Sequence, residues 1–189
     1  MKNKKSIFIF VITVCVAVVS IVFLTLSNTG YELSVTNAET KEKITLGESR
    51  ESIENKIGKS REISDFLNAE IFSYMNEAIS IVYDSNDNAA LIRCTNDVYS
   101  VLNDINVGDE IKVLKQTLGK NADKLQNKTL FLSGDSEKCK AISMSDVKEK
   151  ISASGYEDIY VLDFGSSTTD KTVEHIMICG YTASMGIIK

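Results

Sequence analysis

The chain has 189 residues, a formal net charge of −5, and neither proline nor tryptophan. Three lysines precede residue 6, and the remaining 18 basic and 26 acidic side chains give residues 28–189 a net charge of −8. This acidic balance argues against nucleic acid and anionic lipid headgroups as partners. The absence of proline, with abundant lysine, isoleucine, asparagine and serine, is typical of a low-GC, Gram-positive bacterial genome.

The first predicted element is a membrane-spanning helix over residues 6–27, which are uncharged and apolar around the whole helix. At about 1.5 Å per residue this segment reaches about 33 Å, enough to cross a bilayer. Lys2, Lys4 and Lys5 precede it and no basic residue follows until Lys41. The positive-inside rule then predicts a single-pass cell-membrane protein with a cytoplasmic N-terminus and an extracytoplasmic C-terminal domain. The alternative is a cleaved signal peptide.

The remainder of the chain is divided by an internal repeat. Residues 28–43 are polar and lack a sustained period, which predicts a linker after the stub and anchor of residues 1–27. Residues 44–59 (ITLGESRESIENKIGK) then match residues 105–120 (INVGDEIKVLKQTLGK) at a constant offset. The repeat predicts two tandem units, residues 44–104 and 105–189.

Each copy of the repeat predicts a short helix between two glycines. Gly47 and Gly108 permit a tight turn, and the acidic residue after each is placed to complement the dipole of the following helix. Apolar residues recur at helical spacing, and Gly58 and Gly119 end the helices. Each copy is therefore expected to form a helix of about ten residues.

Strand-like stretches follow each predicted helix. In the first unit they are residues 70–74, 78–83 and 89–95, with a turn at 84–88; in the second they are residues 129–133, 158–164 and 172–180, with a helix over 143–154 capped by Ser145. The predicted fold class is α+β: an N-terminal transmembrane helix followed by two tandem small units. Each unit packs one or more short helices on an antiparallel β-meander.

The repeated pattern resembles the tandem helix–sheet repeats of β-lactamase-inhibitor-protein-like and SmpA/OmlA-like domains. It is also similar to extracellular repeat domains of Firmicutes found beside cysteine-rich secretory domains. The resemblance covers about residues 44–180 and implies a fold and a binding-module class. It transfers no target and no site residue, and Lys59 and Lys120 replace the proline that often follows the second glycine in such repeats.

The residues with catalytic potential form no recognisable set. Three cysteines lie beyond the hydrophobic segment (Cys94, Cys139 and Cys179), so at most one disulfide can form within the chain. The single histidine, His175, follows Glu174, and strand alternation places those two on opposite faces. A histidine base needs a positioned partner, so we predict no catalytic residue and no enzyme, with a thiol-dependent enzyme as a remote alternative.

No metal or cofactor site is predicted. The run DSNDN at residues 84–88 resembles half of a calcium loop, but it lacks the glycine and the distal glutamate. A hairpin turn is the better interpretation.

The predicted function is a membrane-anchored, extracytoplasmic, non-catalytic interaction module whose target and binding residues are both unknown. It contacts the membrane through residues 6–27 and binds a protein or cell-wall partner. The alternative is an inhibitor of a secreted or cell-wall hydrolase. That alternative predicts exposed aromatic side chains on one face, drawn from Phe72, Tyr74, Tyr156 and Tyr160.

Overall fold

The computed structural model describes residues 30–66, 69–102, 104–135, 138–165 and 171–185, with residues 62–66 described by their backbone alone. The predicted transmembrane segment, residues 6–27, lies outside these ranges. In the described part of the chain, no helix is long and apolar enough to cross a membrane. The predicted fold class, which began with a transmembrane helix, is corrected in this respect. The described residues form an α+β fold built on two antiparallel sheets.

The first half of the fold contributes seven strands and one helix. They are β1 (Ser34–Asn37), β2 (Lys43–Thr45), α1 (Arg50–Ile57), β3 (Glu62–Phe66), β4 (Ala69–Tyr74), β5 (Ile79–Tyr83), β6 (Ala89–Cys94) and β7 (Tyr99–Val101). The second half contributes β8 (Ile105–Asn106), α2 (Ile111–Leu118), a 3-10 helix (Gly119–Lys124), β9 (Thr129–Asp135), β10 (Lys138–Ile142), α3 (Met144–Ser154), β11 (Ile159–Asp163), β12 (Ile176–Gly180) and α4 (Tyr181–Ser184).

The described strands form a large sheet of eight strands in the order β10-β9-β11-β12-β6-β5-β4-β3 and a small sheet of four in the order β2-β1-β7-β8. One row of directly paired, buried apolar side chains crosses six strands of the large sheet. From β4 to β9 these are Phe72, Ile81, Ile92, Ile178, Leu162 and Leu130. Val35 and Tyr99 of the small sheet join the same hydrophobic cluster, so the two sheets share one core.

The two predicted units, residues 44–104 and 105–189, are joined in one large sheet. Strands β6 and β12, the last strands of the two halves in the large sheet, pair antiparallel at its centre. The chain from Tyr31 onward forms one compact unit. Two separate four-stranded sheets would each leave an edge of unpaired backbone groups, and joining these edges satisfies them.

The predicted linker also contains structure. Strand β1 lies within residues 28–43 and pairs with both β2 and β7. Leu33, just before this strand, and Val35, within it, are buried. Its stability depends on β7, more than sixty residues away, so a local search for periodicity misses it.

The two copies of the repeat have matching turns before their helices. Gly47 and Gly108 have φ angles of +85° and +95°, which glycine adopts without strain. At the start of β6, the Ala89 carbonyl accepts a hydrogen bond from the Gly47 N–H at 2.8 Å, and the Ala89 N–H donates to the Glu48 carbonyl at 2.9 Å. The Gly108 N–H donates in the same way to the Val173 carbonyl at 2.8 Å, just before β12. The turn before each helix is thus hydrogen-bonded to the chain at or just before a central strand of the large sheet.

The acidic residue of each copy, predicted to complement the helix dipole, also accepts a hydrogen bond from the turn before the helix. The Glu48 carboxylate accepts a hydrogen bond from the backbone N–H of Thr45 at 3.1 Å, and Asp109 accepts one from Asn106 at 2.8 Å. Both carboxylates therefore stabilise the turn that precedes the helix. In α1 the side chain of Ser49 caps the helix by accepting from the Ser52 N–H.

The Glu48 contacts predict a pH-dependent contribution to stability. Desolvation acts to raise the pKa of Glu48, but hydrogen bonds from Lys56, Ser52 and Thr45 outweigh it and hold that pKa below its usual value. A depressed folded-state pKa stabilises the fold above the unfolded pKa, and this stabilisation is lost as pH falls through the folded pKa. We expect Glu48→Gln to lower the free energy of unfolding by about 1–3 kcal/mol at pH 7.

Urea unfolding at pH 7 and at about pH 3 measures this effect, with the exposed Glu51→Gln of the same helix as control. The Glu48→Gln deficit should shrink at acid pH. An equal deficit at both pH values would show that the Glu48 charge contributes nothing to stability.

Candidate functional site

A cleft of about 520 Å³ lies at one end of the central strands of the large sheet. It lies where β11 begins, β12 ends and β6 begins, so residues from both halves of the repeat line it. The turns at Gly47 and Asp84 close one side, and the end of α3 with helix α4 closes the other. We call this site the seam cleft.

Aromatic side chains form one wall of the seam cleft. The rings of Tyr156 and Tyr181 stack with centroids 5.7 Å apart and an interplanar angle of 6°. The Phe131 ring, which is not itself a lining residue, lies 6.3 Å from that of Tyr181 at an interplanar angle of 50°, and Tyr160 contributes a third lining phenol. Tyr156 is 41% exposed, which is unusual for so large a side chain packed against another ring. This wall offers a ring to a ligand entering from solvent.

Local signals in helix α3 place Tyr156 there. The helix begins with a capping box between Ser143 and Asp146, two residues before the predicted cap at Ser145. It ends at Gly155, whose φ of +85° turns the chain sharply. Tyr156 follows at once, ahead of the buried Ile159 that starts β11, and this short turn holds its ring at the surface.

The charged side chains that line the cleft are Asp84 and Glu157, and both are acidic. Asp84 belongs to the predicted hairpin turn, where its Oδ1 accepts hydrogen bonds from the N–H groups of Asn86 at 2.8 Å and Asn88 at 2.9 Å. That turn connects β5 and β6, as expected. Among the described residues, no group of three or more histidine, cysteine, aspartate or glutamate side chains could hold a metal ion.

Of the four aromatic residues proposed for an inhibitory face, two are buried in the core and two line the seam cleft. Phe72 and Tyr74 are buried in the core, at 5% and 0% exposure. The Arg50 guanidinium lies 4.1 Å from the Phe72 ring centroid, and the Tyr74 hydroxyl is 2.8 Å from that of Tyr83. Tyr156 and Tyr160 line the seam cleft. Tyr181 and Phe131 were missed, because no local pattern separates them from ordinary core residues.

The three cysteines are buried and free of disulfides. Cys94 lies opposite Ile176 on the neighbouring strand, three residues before Cys179, so these two thiols point to opposite faces of the sheet. Burial raises the pKa of each of the three thiols to about 12. A thiol with such a pKa is protonated at neutral pH and is a weak nucleophile.

His175 has a partner that the sequence did not predict. Its Nε2 lies 2.8 Å from Oδ2 of Asp163, and each side chain is 15% exposed. The Thr129 hydroxyl donates to Oδ1 of the same carboxylate at 2.6 Å. This cluster lies at the end of β11 and the start of β12, opposite the end that forms the seam cleft. Strand pairing brings His175 to Asp163, which is twelve residues away and outside the local pattern.

The comparisons with known proteins identify no family. No family model matches the chain, and no curated protein matches it. A similar solved structure is that of an extracellular protein containing a SCP domain from Bacillus anthracis str. Ames, with a TM-score of 0.47 and 9% sequence identity. The match covers 75% of this chain and 46% of the other, so the chain spans less than half of that protein's length. A likeness this distant carries no argument about function.

Proposed function

We propose that the chain is an extracytoplasmic, non-catalytic binding module and that the seam cleft is its ligand site. The observation that carries the proposal is the stacked pair Tyr156–Tyr181 on the wall of a concave site. Binding clefts usually enclose about 300–1,000 Å³ and are lined by aromatic and apolar side chains with a few polar groups. The seam cleft has this size and this composition.

The extracytoplasmic location in this proposal rests on the amino-acid sequence. The uncharged segment 6–27 follows three lysines, and both of its interpretations, anchor and cleaved signal, place the following residues outside the cytoplasm. The interaction partner is then a protein or a wall component.

The chemistry of the cleft favours binding over catalysis. Its lining residues, as far as the structure describes them, include no histidine and no cysteine. The inhibitor alternative has less support, because an inhibitor needs protruding aromatic anchors. Two of its four candidate anchors are in the core, and the other two line a concave surface.

Blocking the cleft tests the proposal. Gly180 lines the site in an extended conformation with φ of −63°, and a Cβ built there meets nothing within 4 Å. Gly180→Leu should therefore fill the cleft without backbone strain. We expect it to reduce recovery of the specific partner by about tenfold or more when the tagged full chain is cross-linked in cells.

The matched control is Ser152→Leu, which adds the same side chain to an exposed position of α3 outside the cleft. Both variants should keep a thermal midpoint close to that of the unmodified chain. If the partners recovered with Gly180→Leu equal those recovered with Ser152→Leu, the seam cleft is not the binding site.

A further inference from the structure

The charge of the seam cleft selects among ligand classes. Its lining contains Asp84 and Glu157 and no basic side chain among the described residues. Neither carboxylate forms an ion pair with another described residue. Asp84 is half-buried and Glu157 is exposed, so an anionic ligand in the cleft would meet repulsion from two carboxylates.

The aromatic wall of the cleft also favours a cationic ligand. The face of a tyrosine ring carries negative electrostatic potential, and cations within about 6 Å of its centroid are attracted to it. Tyr156 and Tyr181 are stacked in parallel and both line the cleft, and Tyr156 remains 41% exposed. Ring faces combined with carboxylates form a pattern that binds ammonium and guanidinium groups.

We infer that the seam cleft takes the ammonium or guanidinium end of a lysine or arginine side chain presented by a partner protein. This inference rests on the proposed function. The long alkyl stem of such a side chain would lie along the aromatic wall while its charged end meets the carboxylates. Small residues on the other walls leave room for the flanking main chain; these are Gly47, Ala89, Ala90, Gly180 and Ala183.

The overall charge supports a basic partner. Residues 28–189 carry a net charge of −8, which attracts a basic protein surface and speeds its encounter with the cleft. A neutral glycan could use the same ring faces, but it would gain nothing from this charge. The two ligand classes therefore differ in their dependence on salt and on the carboxylates.

Fluorescence anisotropy with the full chain distinguishes a basic side chain from a neutral glycan as the ligand. The probe is a fluorescein-labelled peptide of alternating lysine and glycine, its matched control carries Nε-acetylated lysines, and chitotriose represents a neutral glycan. We expect the lysine peptide to bind at least about tenfold more tightly than the acetylated one, and less tightly as salt is added.

Variants locate the binding. Gly180→Leu should abolish binding of the lysine peptide, and Tyr156→Leu should weaken it about two- to fivefold. Glu157→Gln should also weaken it, while the exposed Glu149→Gln of α3 should not.

Equal binding of both peptides, equal effects of the two glutamine variants, or no binding of the lysine peptide would overturn the inference. Chitotriose binding that Gly180→Leu blocks would also overturn it and would leave the proposed function standing. That function fails separately if Gly180→Leu leaves partner recovery unchanged.

Discussion

Leu114→Ala is expected to lower the free energy of unfolding by about 2–5 kcal/mol, and Ile53→Ala by a similar amount. These residues occupy equivalent positions of the repeat on helices α2 and α1, and both are 0% exposed. Each belongs to the hydrophobic cluster shared by the two sheets. Truncation removes apolar contacts and leaves a cavity that the surrounding strands fill only in part.

Urea unfolding followed by far-UV circular dichroism measures this loss. Val113→Ala is the control on helix α2, since Val113 is 40% exposed and its truncation should change stability by no more than about 0.5 kcal/mol. Because one core serves both halves, each variant should unfold in a single shifted transition. Two transitions, with one unchanged by Ile53→Ala, would show that the halves fold independently.

The helices of the repeat could be predicted because their determinants are local. Gly58 and Gly119 end α1 and α2 with positive φ angles of +84° and +53°. Apolar residues recur at helical spacing within each helix, with the buried Ile53 in α1 and the buried Leu114 in α2. The conformation of a glycine and the spacing of apolar side chains depend on only a few neighbouring residues, so both can be predicted from a single sequence.

The arrangement of the sheets could not be predicted in the same way. The pairing of Ile92 with Ile178 at the centre of the large sheet joins residues that are far apart in the chain. Register between such strands is set by which faces become buried, and that depends on the whole fold. The interpretation of the repeat as two units follows from this missing long-range information.

The seam cleft was missed for a related reason. Its lining extends from Leu46 to Ala183, and no segment of the chain contains more than a part of it. Tyr156 and Tyr160 were singled out as exposed aromatic candidates, but the same reasoning included Phe72, which packs in the core. The sequence shows which residues are aromatic, but only the fold decides which of those rings are buried and which are exposed to a ligand.

The three described thiols are expected to react about a thousandfold more slowly in the folded chain than after unfolding. Burial raises the pKa of Cys94, Cys139 and Cys179 from 9.0 to about 12, which lowers the thiolate fraction at pH 8 by about three orders of magnitude. All three are 0% exposed, so a reagent also lacks physical access to them. An aromatic disulfide reagent that releases a coloured thiolate measures the rates.

The fourth cysteine, Cys15, lies within residues 6–27, so the experiment uses a Cys15→Ser background. Adding Ser152→Cys at an exposed position of α3 supplies the control, and that thiol should react at the rate of an unfolded chain. A fast-reacting native cysteine in the folded protein would contradict the burial and would revive the thiol-enzyme alternative. Slow reaction of all three, with full reaction in urea, would mean that these cysteines serve the sheet core through their packing, because a nucleophile must be both ionised and accessible.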